Sequence, residues 1–269
     1  MQTIKAESWE HLMGLLFHQS WADPLKRFRS PYVYRGLADV QYPLTTTLNR
    51  LGESHLEKHL LRNFIKYSKV TSHGRSIWNW LALAQHHGLP TRLLDWTYSP
   101  LVALHFSVAD FNKFDRDGVI WAVNYVDAMR FLPDQLKVII EKEGSHVFTA
   151  DMLEGEVDSL SDLENLKKDV FGLFFEPPSI DERIVNQYAL FSMMSNPNIT
   201  INDWAFEVGV ECFKILIPTS LKWEIRDKLD QSNINERVLF PGLDGLAIWL
   251  KRHYLDIRGP EARSEGDAQ

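Results

Sequence analysis

The chain has 269 residues, of which 45% are apolar and 24% are charged, and its formal net charge is −7. This length suits one large domain, or a domain that carries a lid or subdomain. The acidic balance argues against a broad electrostatic surface for DNA, although a local basic cleft remains compatible with it.

Cysteine content and terminal sequence indicate the compartment. The single cysteine, Cys212, excludes an internal disulfide and favours a reducing environment. The opening sequence MQTIKAESWEHL lacks a secretory pattern, and no apolar run reaches the length of a membrane span. We therefore expect a cytoplasmic protein that does not enter membranes. The nine tryptophans are expected either to fill a core or to line a pocket for planar ligands.

The first part of the chain is predicted to form a helix, a strand and a helix. Residues 8–18 have the spacing of a short amphipathic helix, within an N-terminal helical extension that covers residues 1–30. Residues 31–36 contain β-forming side chains and end at a glycine turn, which predicts a strand. Residues 54–69 place their apolar side chains on one face, which predicts an amphipathic helix.

Residues 78–109 combine apolar packing with an unusual density of polar groups. The polar groups are Gln85, His86, His87, Arg92, Asp95, Thr97, Ser99 and His105. Polar groups inside a protein are hydrogen-bonded or have a function. This stretch therefore predicts either a satisfied polar network or a functional site.

The same stretch is predicted to fold as helix, turn, short buried segment and helix. The first helix covers residues 77–87 and ends at Gly88. Residues 92–97 form the buried segment, and Pro100 lies in the first turn of the second helix. The candidates for the cap of that helix are Asp95, Thr97 and Ser99.

Strands and helices continue after this stretch. Residues 119–125 and 212–218 predict buried strands, and residues 220–231 predict a helix. Residues 136–170 are acidic, with helical spacing over 137–141 and 161–170, and we expect a solvated insertion or lid there.

Two later blocks and the C-terminal tail complete the prediction. Residues 183–194 are predicted to form a turn and a strand, and residues 235–254 a turn and a helix. Residues 259–269 have the composition of a disordered tail.

Several blocks of this sequence resemble the FRG domain family, which is named for a Phe/Tyr-Arg-Gly signature near its start. That signature is Tyr34-Arg35-Gly36 here, and the family's central motif is similar to ALAQHHGLPTRLLDWTYSPLVALHFS at residues 82–107. The blocks ERIVNQYALFS and LFPGLDGLA are also family-like. We therefore predict an FRG domain over residues 31–258. The resemblance suggests a setting of bacterial or phage defence and does not by itself imply a reaction.

The order of elements also resembles the ADP-ribosyltransferase fold. The positions with similar residues are Arg35-Gly36, 95–99, 103–106, 119–123 and 187–191. This resemblance implies an α+β fold, with a mixed or antiparallel sheet core and flanking helices. It also implies NAD as a substrate whose N-glycosidic bond is cleaved. Gln187 occupies the place of the catalytic glutamate in that family.

Independent chemical reasoning supports several of these positions. Arg35 at a strand end offers a fixed fork of donors for phosphate or ribose oxygens. An aromatic face such as Tyr98, Trp96 or Tyr188 suits nicotinamide. A carboxylate such as Asp95 stabilises an oxocarbenium-like state, whereas Gln187 supplies hydrogen bonds without charge.

These arguments give two sets of candidate residues. The predicted catalytic residues are Arg35, Asp95, Thr97 and Gln187. The predicted nucleotide-binding residues are Arg35, Gly36, His87, Arg92, Trp96, Thr97, Tyr98, Ser99 and Arg183. No metal site is predicted, because the adjacent side chains of His86 and His87 point about 100° apart on a helix and do not readily share an ion.

Structural interpretations of the same residues remain open. Arg35 could clamp Asp95 or Asp244 in an ion pair, and Ser99 could serve as a helix cap. Arg183 and Gln187 would share one face if they lie on a strand.

Three functional hypotheses follow from the sequence. The first is an enzyme that acts on NAD or a related small nucleotide, with a protein or a nucleobase as acceptor. The second is a non-enzymatic nucleotide-sensing or protein-interaction module, motivated by Gln187 in place of an acid. The third is a nuclease-type toxin, which the acidic balance disfavours. The sequence leaves the oligomeric state undetermined.

Overall fold

The computed structural model describes residues 1–68, 76–179 and 182–254. Within these ranges the strands are β1 (Gln2–Lys5), β2 (Trp21–Ala22), β3 (Arg27–Phe28), β4 (Tyr32–Leu37), β5 (Leu93–Thr97), β6 (Gly118–Asn124), β7 (Gly172–Phe175), β8 (Ala189–Met194) and β9 (Cys212–Ile217). The α-helices are α1 (Trp9–Leu16), α2 (Thr47–Leu51), α3 (Glu57–Tyr67), α4 (Ile77–His86), α5 (Pro100–Ser107), α6 (Tyr125–Ala128), α7 (Asp134–Glu143), α8 (Ala150–Leu153), α9 (Leu160–Asn165), α10 (Glu182–Asn186), α11 (Ile201–Val208), α12 (Lys222–Gln231), α13 (Glu236–Leu239) and α14 (Leu243–His253). The tail predicted to be disordered, residues 259–269, lies outside the described residues.

One mixed sheet organises the fold. Its seven strands follow the order β1-β9-β6-β4-β5-β8-β7, and a separate hairpin joins β2 to β3. β1 runs parallel to β9, and the other neighbouring strands of the sheet are antiparallel. Helices flank this sheet, so the predicted α+β class with a mixed sheet is confirmed. No helix within the described ranges is long and apolar enough to cross a bilayer.

The two faces of the sheet carry different apolar clusters. Along β4, Tyr32 and Tyr34 belong to one cluster and Val33 to another, as expected when successive side chains point to opposite faces. Leu104 of α5 packs with the tyrosines, and Trp96 of β5 packs with Val33. The central strands are therefore covered on both faces.

Local sequence signals explain the segment from α4 to α5. The Ser76 side chain accepts a hydrogen bond from the Asn79 N–H and begins α4. Gly88 follows this helix with φ +80°, a backbone conformation that glycine adopts without strain. The Ser99 side chain caps α5, and Pro100 is its first residue. The cap is thus Ser99 rather than Asp95 or Thr97.

The acidic segment over residues 136–170 differs from the predicted solvated lid. Its helices α7, α8 and α9 bury Leu136, Ile140, Leu153 and Leu163 in the cluster that contains α4. Full burial of one such side chain stabilises the fold by about 1.5–3 kcal/mol. The acidic side chains cover the outer face, so this segment is part of the core and not a detached insertion.

Two other predictions need correction. The N-terminal extension, expected to be helical, also contributes β1, which pairs with β9 at the sheet edge. The block at residues 183–194 begins with helix α10, so Arg183 is helical and Gln187 lies in the turn before β8. The expected strand starting at Gln187 therefore begins two residues later, at Ala189.

Candidate functional site

The first candidate residues, Arg35 and Asp95, meet where β4 and β5 lie side by side with little strand pairing. β4 pairs with β6 over six positions but with β5 at one, Tyr34 opposite Thr97, and both strands are described throughout. The Arg35 side chain reaches β5, where its Nη1 donates to the Asp95 carbonyl oxygen at 2.5 Å. The same Nη1 lies 3.5 Å from Asp95 Oδ2. Arg35 therefore links the two strands and forms the ion pair with Asp95 that the sequence left as an alternative.

Gln85, which is itself held by Thr91, also binds the Asp95 carboxylate. Gln85 Nε2 donates to both carboxylate oxygens at 3.2 Å. The Thr91 hydroxyl donates to Gln85 Oε1 at 2.5 Å and accepts from the Leu93 N–H. The polar cluster is thus Arg35, Asp95, Gln85 and Thr91, and three of its members lie on α4, β5 and the turn between them.

The cluster combines a nearly covered cation with an open anion. The Arg35 side chain is 21% exposed, whereas that of Asp95 is 53% exposed. Burial lowers the pKa of Arg35 and the neighbouring Asp95 opposes this effect, and an arginine stays protonated in proteins. Arg35 Nε is buried and has no acceptor among the described residues. The cluster therefore combines an accessible carboxylate with a guanidinium whose buried Nε has no acceptor among the described residues.

Thr97 and Gln187 meet each other rather than Arg35. The Thr97 hydroxyl donates to the Gln187 carbonyl oxygen at 2.7 Å and accepts from the Ser99 N–H. Gln187 Nε2 donates to the Leu239 carbonyl oxygen at 3.0 Å. Both side chains thus join the end of β5 to the turn before β8 and to α13, and their predicted catalytic roles remain predictions.

Arg92 and Trp96 are occupied inside the protein. Arg92 Nε donates to Glu57 Oε2 at 2.7 Å, and both side chains are 2% exposed. Arg92 Nη2 also donates to Glu164 Oε1 at 2.7 Å. Trp96 is buried, and its indole N–H donates to the Ser192 hydroxyl at 2.8 Å. These contacts brace the fold, and neither side chain is presented to the polar cluster as the sequence suggested.

Gly36 permits a close approach, but the approaching group is a helix. A Cβ placed on Gly36 would lie 1.8 Å from the Ala103 carbonyl oxygen and 2.8 Å from the Ser107 nitrogen. The glycine of the Tyr-Arg-Gly signature is therefore required for α5 to pack on β4. The space expected for a ligand at this position is filled by protein.

Two further candidates, His87 and Arg183, have exposed side chains. His87 follows α4, is exposed, and its ring lies 6.4 Å from that of Phe64. Arg183 is exposed on α10 and stacks on Phe240 at 5.0 Å. The face that Arg183 and Gln187 were expected to share on a strand does not exist, because Arg183 is helical.

Tyr98 belongs to a separate cavity that the sequence did not predict. This cavity has a volume of about 670 Å³ and is also lined by Tyr125, Glu176 and Tyr188, while Arg35 and Asp95 are not among its lining residues. Glu176 is 78 residues from Tyr98, so no local sequence pattern could have connected the two.

Comparison with known protein families gave a match to the part of the chain that contains the polar cluster. The family model described as FRG domain matches residues 30–116, which include β4, α4, β5 and α5. The later family-like blocks lie outside this match. Comparison with curated proteins and with solved structures gave no match. Residues 30–116, which carry all four residues of the polar cluster, match the FRG domain model, and this match supports the resemblance of the chain to that family.

Proposed function

We propose that the chain binds NAD or a closely related nucleotide at the polar cluster and cleaves its N-glycosidic bond. The observation that carries this proposal is the ion pair between an accessible carboxylate, Asp95, and a partly exposed guanidinium, Arg35. The similarity in order of elements to ADP-ribosyltransferases supports it.

Each member of the cluster has a role in this proposal. Arg35 binds phosphate or ribose oxygens through the part of its side chain that stays exposed, since a guanidinium offers several N–H groups in a fixed plane. When the glycosidic bond breaks, nicotinamide leaves with the bonding electron pair and positive charge develops on the ribose. The Asp95 carboxylate stabilises that charge, and Gln85 holds the carboxylate in place through two hydrogen bonds.

The properties of Gln187 bear on which acceptor receives the ADP-ribosyl group. Gln187 carries no charge and its amide is bonded to the Leu239 carbonyl. It therefore does not activate a nucleophile as a glutamate would. This favours water or a nucleobase over a protein side chain as the acceptor. We place the reaction in the cytoplasm, where the buried free thiol of Cys212 stays reduced, and in a defence setting.

Nicotinamide release from NAD tests the enzymatic proposal. We expect release by the wild type, and loss of at least about 99% of it in Asp95→Asn, because removing one preorganised electrostatic contact typically costs 10²–10³ in rate. Asp134→Asn is the matched control, since the Asp134 side chain is 99% exposed on α7. Absence of release by the wild type with water, nucleic acid and protein acceptors would rule out the cleavage step.

A second candidate function is nucleotide sensing without catalysis. The hydrogen bond from the Gln187 amide to the Leu239 carbonyl favours it. Gln187 stands where ADP-ribosyltransferases have their catalytic glutamate, and here this side chain connects two parts of the fold. This candidate predicts that NAD binds and is recovered intact after prolonged incubation. It also predicts that Asp95→Asn changes affinity only, whereas the enzymatic proposal predicts a change in rate.

A further inference from the structure

The cavity next to Tyr98 is lined by three tyrosines and a glutamate, a group of side chains that we call the cage. The Tyr98 ring centroid lies 4.9 Å from that of Tyr188 and 5.8 Å from that of Tyr125, with interplanar angles of 54° and 74°. At these distances Tyr98 is in tilted or edge-to-face contact with the other two rings, so the three rings form a continuous aromatic wall of the cavity. The cavity of about 670 Å³ is large enough for the head group of a ligand and for part of the molecule that carries it.

A carboxylate gives this cage a negative character. The Tyr98 hydroxyl donates to Glu176 Oε1 at 2.7 Å, so the carboxylate is held beside the rings. Burial, followed by Glu176, raises the pKa of both Tyr98 and Tyr125, which keeps the phenols neutral. The faces of phenol rings are themselves electron-rich. The cage therefore attracts a cation by two independent means.

The one arginine among the described residues that line the cavity is exposed. It is Arg29, in the loop after β3, and its side chain faces solvent. Arg29 Nη1 donates to the Phe28 carbonyl oxygen at 2.9 Å. Water screens such an exposed charge, so it offsets only part of the attraction that Glu176 and the rings provide.

The backbone at Tyr188 provides a third observation. Tyr188 has φ +48°, a left-handed conformation that is uncommon for a bulky residue. It is held there because the Tyr98 N–H donates to the Tyr188 carbonyl oxygen at 3.1 Å. This conformation places a tyrosine that is 60% exposed against the Tyr98 ring. Strain of this kind persists where the surrounding structure enforces it, and it often marks a ligand site.

We propose that this cage, formed by Tyr98, Tyr125, Tyr188 and Glu176, is a binding site for an N-alkylated organic cation. The chemical class comprises quaternary ammonium and N-alkylpyridinium groups, which cannot donate hydrogen bonds and are recognised by ring faces and a nearby carboxylate. The cage and the polar cluster are lined by different residues. Because NAD itself carries an N-alkylpyridinium group, variants of each site distinguish this inference from the proposed function.

Pairs of charged and neutral ligands of the same shape test the proposal. Choline is compared with 3,3-dimethylbutanol, and 1-methylnicotinamide with nicotinamide, by isothermal titration of the full chain. We expect at least one cation to bind about tenfold or more tightly than its neutral counterpart, since cation–π attraction increases when the site is desolvated. Equal affinity within both pairs, or no binding of either cation, would overturn the proposal.

Variants assign the binding to the cage. Glu176→Gln removes the charge without changing the shape, and Tyr188→Ala removes one wall; each is expected to weaken cation binding about fivefold or more. Tyr67→Ala, at an exposed tyrosine of α3, is the matched control and should bind as the wild type does. Arg35→Ala should leave cation binding unchanged, which separates a failure here from a failure of the nucleotide proposal. Binding that Glu176→Gln leaves intact would contradict the assignment.

Discussion

The buried ion pair between Arg92 and Glu57 tests whether Arg92, which lies in the motif at residues 82–107, stabilises the fold. Both side chains are 2% exposed, and Glu57 accepts from Arg92 Nε at 2.7 Å and from the Arg92 backbone N–H at 2.8 Å. Replacing Arg92 with Met leaves the Glu57 carboxylate buried with only the backbone donor. Loss of one partner from a buried pair costs about 3–5 kcal/mol, a large part of the roughly 5–15 kcal/mol that stabilises a typical domain.

Urea unfolding followed by tryptophan fluorescence measures this cost. We expect Arg92→Met to lower the free energy of unfolding by about 3–5 kcal/mol. The double variant Arg92→Met with Glu57→Gln should be less destabilised than the sum of the single variants, because the buried Glu57 charge is then absent and Glu164 keeps its ion pair with Lys58. A cost below about 1 kcal/mol for Arg92→Met, or strict additivity in the cycle, would refute the view that Arg92 is a structural residue.

Three further predictions concern packing, capping and pH. Gly36→Ala should destabilise the fold by about 1–3 kcal/mol or more through the clash with Ala103, whereas Gly14→Ala in α1, where a Cβ meets nothing within 4 Å, should raise the unfolding midpoint. Ser99→Ala should cost about 1 kcal/mol in urea unfolding through loss of the α5 cap. Burial, then the nearby arginines, lower the pKa of His105 well below its ordinary value of 6.5. The unfolded chain then binds a proton near that pH while the folded chain does not. Stability should therefore be full above this pH and fall below it, by up to about 1.4 kcal/mol per pH unit. Unfolding midpoints measured at about pH 7.5 and 5.5 should differ less in His105→Gln.

The sequence predicted elements whose signals are local. α5 begins at the Ser99 cap with Pro100 as its first residue, and Gly88 with positive φ follows α4, because capping and turn formation depend on neighbouring residues. Gly36 of the Tyr-Arg-Gly signature was predicted to contact a nucleotide. The sequence alone could not show that the Ala103 carbonyl of α5 lies against this glycine.

Contacts between residues that are far apart in the chain could not be predicted from the sequence. Arg92 looked available for a ligand because its partner Glu57 lies 35 residues earlier, on another helix. Gln187 was placed on a strand because the apolar run that follows it masks a one-turn helix before it. The leucines of residues 136–170 do have helical spacing, and giving them more weight than the acidic residues would have predicted a buried segment.

The most direct test of the account is the affinity of the chain for NAD, measured by isothermal titration of the wild type and of Arg35→Ala. The account predicts that the wild type binds and that Arg35→Ala binds roughly tenfold to a hundredfold more weakly, since a charged hydrogen bond contributes about 1.5–3 kcal/mol. Arg62→Ala, at an exposed arginine of α3, should bind as the wild type does. A wild type that binds no NAD, or an Arg35→Ala variant that binds it equally well, would contradict the polar cluster as a nucleotide site.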